Sequence, residues 1–163
     1  MDKMPINGVK MSEPLVLMRV RPRQGAWDVM PALCRMLTDL AVNIAFMTST
    51  GLENQHSAVC CIDPSDRPRV AAGLSQDADL CASVHIEPGA VGLLSIYPHQ
   101  ASLAVLGAAI QALNENGTGV HAMASSISAL TFVIDCVHLD RAAAILTDTM
   151  KLPPDTTPLQ TKF

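Results

Sequence analysis

The chain repeats itself. Residues Leu15 to Thr50 and Val91 to Ser126 carry the same succession of apolar run, proline-containing turn, amphipathic stretch and second apolar run. At a spacing of 76 positions Leu17 falls on Leu93, Pro22 on Pro98, Gln24 on Gln100, Leu37 on Leu113, Met47 on Met123 and Ser49 on Ser125. A loop four residues longer in the first copy then changes the spacing to 72, which aligns Ile62-Asp63 with Ile134-Asp135, Arg69 with Arg141 and Leu74 with Leu146. Because local pattern dictates local structure, both halves must build the same unit.

In the first copy, Leu15 to Arg21 reads as a strand covered on both faces, with Leu15, Leu17 and Arg19 on one side and Val16, Met18 and Val20 on the other. Pro22 to Ala26 turns the chain, proline fixing φ and Gly25 permitting a close backbone approach. Met30, Leu33, Cys34, Leu37, Leu40 and Ala41 recur at helical spacing and make one stripe to face a sheet; Asp28 is placed to cap that helix, with Pro31 in its first turn. Strands over Val42 to Thr50 and His56 to Ile62 follow. Asp63-Pro64-Ser65-Asp66 opens a short helix with Val70 and Leu74 inward, and Leu80 to Glu87 supplies a fourth strand. The order is βαββαβ, an α+β unit.

Pro88-Gly89 marks the boundary, and the second copy runs through a strand at Val91 to Tyr97 and a helix with Leu103, Leu106, Ile110 and Leu113 inward, ended by Asn116-Gly117. Strands at about Thr118 to Ser125 and Ala129 to Asp135 precede a helix with Leu139, Ala142, Ala143, Leu146 and Met150 inward. Then Leu-Pro-Pro-Asp-Thr-Thr-Pro follows Lys151, and its prolines forbid a regular fourth strand. The second unit therefore lacks its closing edge, which Ile6 to Lys10 is placed to supply. The expected division is residues 14–88 for the first unit, residues 89–152 with 5–11 for the second, and a tail over 153–163.

Several function classes are disfavoured. Almost half of the residues (49%) are hydrophobic but only 3% are aromatic, so the core must be built from Leu, Val, Ile, Ala and Met. A net charge of -4, with Lys and Arg scattered, offers no field for nucleic acid. No apolar run approaches the ~20 residues of a membrane span, and Met1 to Glu13 has no signal-peptide pattern, so a cytoplasmic protein is expected. The five cysteines form no CxxC pair and read as reduced, mostly buried small hydrophobes, and the five histidines show no ligand spacing, so neither metal nor cofactor is expected. Walker A, GxGxxG and nucleophile-elbow patterns are absent, which argues against an enzyme.

The segments INGVKMSEPLVLMRVRPRQGAWDVMPAL and VNIAFM, followed by VGLLSIYPHQASLAVLGAAIQALNENGTGVHAMASS and LTFVID, resemble the tandem ACT-domain regulatory region of aspartate kinases over about Ile6 to Met150. The resemblance implies two ferredoxin-like units with antiparallel sheets and helices on one face, the N-terminal strand completing the second. It also implies a freestanding, non-catalytic sensor of a free amino acid (lysine, threonine, methionine or a branched-chain residue) bound at ACT–ACT interfaces, a homodimer, and a partner enzyme to regulate.

Carried over position by position, the family's loop of Asp-x-Pro-Gly falls on Pro22, Arg23, Gln24 and Gly25, of which the glycine alone is kept. The Asn-Ile of the following strand is Asn43-Ile44. In the second copy Gln100 and Ala101 take the Pro-Gly positions, Gly119-Val120 replaces Asn-Ile, and the family's Ser-Thr-Ser-Glu is reduced to Ser125-Ser126. The resemblance implies that backbone N–H groups at Gly25, Ala26 and Trp27 receive a carboxylate at the helix N-terminus, with Arg23 or Gln24 adding a hydrogen bond and Asn43 and the Ile44 backbone holding the amino group. Gln100, Ala101, Ser102, Val120, Ser125 and Ser126 form the corresponding set. The alternative is that these loops are connecting turns, Trp27 a hydrophobic plug, and the protein an interaction module that docks on a partner without ligand.

Overall fold

The computed structural model describes residues 4–21, 29–52, 55–97, 102–151 and 159–161. In chain order it contains strands β1 (Met4–Pro5), β2 (Gly8–Ser12) and β3 (Leu15–Val20), helix α1 (Met30–Asp39), and strands β4 (Ile44–Leu52) and β5 (Gln55–Ile62). A 3-10 turn at Pro64–Asp66 leads to α2 (Arg67–Ser75), α3 (Ala78–Ser83) and β6 (Val84–Tyr97). There follow α4 (Leu103–Glu115), β7 (Val120–Ser125), β8 (Leu130–Asp135), α5 (Cys136–Thr149), β9 (Met150–Lys151) and β10 (Leu159–Thr161). Two compact units result, one from Pro14 to Ala90 and one assembled from Met1–Glu13 and Val91–Phe163.

In the first unit the strands lie in the order β6-β3-β5-β4. Alternate residues of β3 (Val16, Met18 and Val20) join Leu33 and Leu37 of α1 and Val70 and Leu74 of α2 in one buried cluster, while Leu15 and Leu17, of opposite parity, are buried as well. Both faces of β3 are thus covered, as its near-continuous apolar run requires.

Three details depart from expectation. Cys34 is exposed, the face that α1 buries being Met30, Leu33 and Leu37, and Leu40 is only half-buried, since α1 ends at Asp39 and the chain leaves through Ala41 at φ 50°. Val29 holds the N-cap position without a side-chain bond, with Pro31 in the first turn; Asp28 lies outside the described residues. Residues 80–83 are helix instead of strand: the Asp77 carboxylate accepts the N–H groups of Asp79 (2.9 Å) and Leu80 (3.0 Å), a cap that starts α3 and delays the strand to Val84. Pro88 and Gly89 then lie within β6, where residues 88–90 are exposed.

The second unit orders its strands β2-β6-β8-β7. The N-terminal strand β2 runs antiparallel to β6, Val9 opposite Ile96 and Met11 opposite Leu94, and so occupies the place of the missing fourth strand. Its last residue adds a side-chain link: the buried Ser12 hydroxyl accepts the Leu93 N–H at 2.9 Å. The tail beyond the prolines contributes β10, parallel to β2 with Leu159 opposite Lys10, and β1 pairs with β9. Ile6, Val9, Leu94, Phe132, Leu139 and Leu146 belong to one buried cluster.

Of the expected stripe of α4, Leu113 is buried and Leu106 packs against the core, but the other two residues face outward. Leu103 is 81% and Ile110 40% exposed, and the buried face is Val105, Ala109, Ala112 and Leu113. A helix apolar on nearly every side admits several stripes, and the one that faces the sheet carries alanines, whose small side chains let the helix approach closely.

Candidate functional site

The geometry of the candidate residues follows from strand direction. In the first unit Ile44 of β4 and Val16 of β3 both stand opposite Ile62 of β5, whereas Ser49 and Val20 both stand opposite Ala58. β4 therefore runs parallel to β3, and the Asn43-Ile44 pair lies at the end of the sheet where β3 begins, away from the end at which β3 exits through Arg21. The loop itself, with Pro22, Arg23, Gln24, Gly25, Ala26 and Trp27, lies outside the described residues. Asn43 and Ile44 are exposed, Ile44 at 38%.

The second unit shows the same polarity. Val120 stands opposite Ile134, which faces Gly92, while Ser125 stands opposite Leu130, which faces Ile96 near the strand's exit. Ser125, Ser126 and Ser102 thus share the exit end and Val120 does not. Gln100 and Ala101 lie outside the described residues.

Two of these serines already have local work. Ser102 is the N-cap of α4, its hydroxyl accepting the Val105 N–H at 3.3 Å. The Ser126 hydroxyl accepts the Ala129 N–H at 3.1 Å and donates to the Ala129 carbonyl at 3.2 Å, closing the turn between β7 and β8.

Sequence reasoning missed the charged group at the exit of β3. Arg19 Nε donates to Glu87 Oε1 at 2.8 Å, and with Arg21, His85 and Ser83 these residues line a cavity of about 250 Å³. The signal was an arginine inside an otherwise apolar strand.

Among the described residues both units end in a strand paired on one side only, β4 in one and β7 in the other. Equivalent apolar residues are exposed on these edges: Ile44 (38%) and Met47 (37%) on β4, Val120 (40%) and Met123 (42%) on β7. Even the irregularity repeats, with a register shift between Ile44 and Phe46 and another between Val120 and Ala122. An exposed edge with apolar side chains is a template for pairing.

Among the described residues no three His, Cys, Asp or Glu side chains are grouped to hold a metal, and no helix is long and apolar enough to cross a membrane. All five cysteines are free; burial pushes the Cys60 thiol up to about 11 and the Cys61 thiol up to about 12, so neither is a thiolate at neutral pH.

No protein-family model and no curated protein sequence matches this chain. Solved structures are. The ligand-free regulatory subunit of aspartate kinase from Thermus thermophilus superposes with a TM-score of 0.75 at 10% identity, over 90% of this chain and 99% of that one. Aspartate kinase from Synechocystis gives 0.72 at 18% identity, over 93% of this chain and 28% of that enzyme. E. coli aspartokinase III in complex with lysine and aspartate gives 0.65 at 11% identity, over 92% and 34%. With its first unit of order β3-α1-β4-β5-α2-α3-β6 and its second unit closed by an N-terminal strand, this chain has the fold of the regulatory subunits of aspartate kinases.

Proposed function

We propose that the protein is a non-catalytic, cytoplasmic regulatory module that binds a free amino acid between edge-paired copies of itself. The observation that carries this reading is the separation of Asn43-Ile44 from the β3 exit within one unit. A ligand held by both at once needs a second sheet. A two-fold axis normal to the sheet pairs β4 with its copy antiparallel, which brings Asn43 of one copy to the exit end of the other, and buries Ile44 and Met47 on both. The exposed carboxamide of Asn43 then faces the loop that follows Arg21, where helix N–H groups and a guanidinium suit a carboxylate. The E. coli kinase of the same fold was crystallised with lysine, which supports an amino acid as the ligand class.

Sedimentation and calorimetry test the reading together. Met47→Lys places like charges opposite each other across the edge and is expected to convert a dimer to a monomer and to lower amino-acid affinity at least tenfold; Asn43→Ala is expected to lower affinity while leaving the dimer intact. A wild-type monomer, or a Met47→Lys variant that binds undiminished, sinks the edge site.

The second reading is a docking module without ligand, and the local bonds of Ser102 and Ser126 favour it for the second unit. A calorimetric panel of the twenty amino acids that stays silent, with the dimer intact, selects it.

A further inference from the structure

The first unit holds a cleft between α1 and α2 of about 520 Å³, within the ~300–1,000 Å³ of small-molecule pockets. Met36, Leu40, Ala72 and Leu80 give it an apolar lining, and Arg35 and Asp39 stand on its rim. Gly73 lets Met36 and Leu40 pack closely across its wall: a Cβ there would lie 2.9 Å from Met36 Sδ and 3.2 Å from a Leu40 methyl.

The repeat provides an internal comparison. At the equivalent positions of the second unit Gly73 becomes Ile145, Met36 becomes Ala112 and Leu40 becomes Asn116. The bulky side chain has moved to the second helix, where Ile145 is half-buried, and the first helix carries a buried Ala112 in place of Met36. The polar rim differs in the same sense. Gln111, equivalent to Arg35, donates from Nε2 to Glu115 Oε1 at 2.7 Å, Glu115 being equivalent to Asp39, and Arg141 donates to the Asn116 carbonyl at 3.2 Å. In the first unit Arg69 is paired with Asp66, but Arg35 and Asp39 have no hydrogen-bond or ion partner among the described residues.

Unlike charges one helical turn apart have Cβ atoms ~5–6 Å from each other. Above an apolar floor they complement a molecule that carries a carboxylate and an ammonium on one carbon and a hydrocarbon tail on the same carbon. We propose that this cleft binds a free α-amino acid with an apolar side chain, its carboxylate on Arg35, its ammonium on Asp39 and its tail against Met36, Leu40 and Ala72. The site is separate from the edge site and stands without it.

The test reads the cleft directly, through the methyl resonance of Met36 in protein labelled with carbon-13 at its methionine methyls, assigned with a Met36→Leu variant. L-Leucine is expected to shift that resonance saturably. Leucinamide and 4-methylpentanoate, each lacking one of the two charges, are expected to bind at least tenfold more weakly, as is leucine to Arg35→Gln and to Asp39→Asn. The paired variant Met36→Ala with Gly73→Ile, which copies the second unit, is expected to keep its fold and lose one class of leucine site by calorimetry. Asn43→Ala leaves the Met36 response unchanged if the cleft is the site. A resonance that stays in place at saturating leucine, that moves equally with the two single-charge analogues, or that falls silent in Asn43→Ala overturns the proposal.

Discussion

At residue scale, both first helices end the same way with different residues. Val42 N–H reaches the Leu37 carbonyl at 2.9 Å and Thr118 N–H the Leu113 carbonyl at 2.9 Å, the bond that closes a helix through one left-handed residue. That residue is Ala41 at φ 50° in the first unit and Gly117 at φ 67° in the second. An L side chain is strained there, and glycine is not. Ala41→Gly is therefore expected to stabilise the protein by about 0.5–1 kcal/mol, and Gly117→Ala to destabilise it by about 1 kcal/mol. Because a Cβ at Gly117 meets nothing within 4 Å, the second effect is one of backbone strain alone. Denaturant melts of both variants check the pair; equal signs would refute the account. The Asn116-Gly117 stop was legible in the chain because glycine announces a left-handed position. Ala41 announces nothing, and so it reads as one more apolar residue of the stripe.

At the scale of elements, short helices were the hard part. Residues 78–83 contain Leu80, Cys81 and Ala82, which suit a strand as well as a helix, and what decides is the Asp77 carboxylate on two backbone N–H groups. Asp77→Ala is expected to cost about 1 kcal/mol and to raise amide exchange across α3 more than across β6; uniform exchange would show that the cap is not what holds the helix. For α4 the opposite difficulty held: it carries too many apolar residues for the pattern to choose a face, and contact with the sheet selected the alanines. Strands such as β3, β5 and β8 were readable because two-sided burial demands a continuous apolar run, and little else in a chain of this kind does.

At the scale of the molecule, the second unit is discontinuous in the chain, and β2 is the piece that completes it. Ile6, Val9 and Met11 are at most 7% exposed, and each such burial stabilises by roughly 1.5–3 kcal/mol. A chain beginning at Pro14 is expected to lose amide protection in β6 beyond Val91 and in β8, while β5 and α1 keep theirs; equal loss in both units would show that β2 does not act on the second unit in particular.

The amino-acid sequence by itself determined the repeat, the order of strands and helices in each copy apart from α3, and the need for an outside strand, since proline in the tail and the apolar runs of the strands are local properties that tertiary context does not reverse. The candidate ligand residues were legible only as a motif. Tertiary structure alone decided that Asn43 lies at the far end of the sheet from the β3 exit, that among the described residues equivalent edges are both left without a further strand, and that a cleft lies between α1 and α2 beside Gly73. These are distances between residues far apart in the chain, and strand direction and helix packing set them.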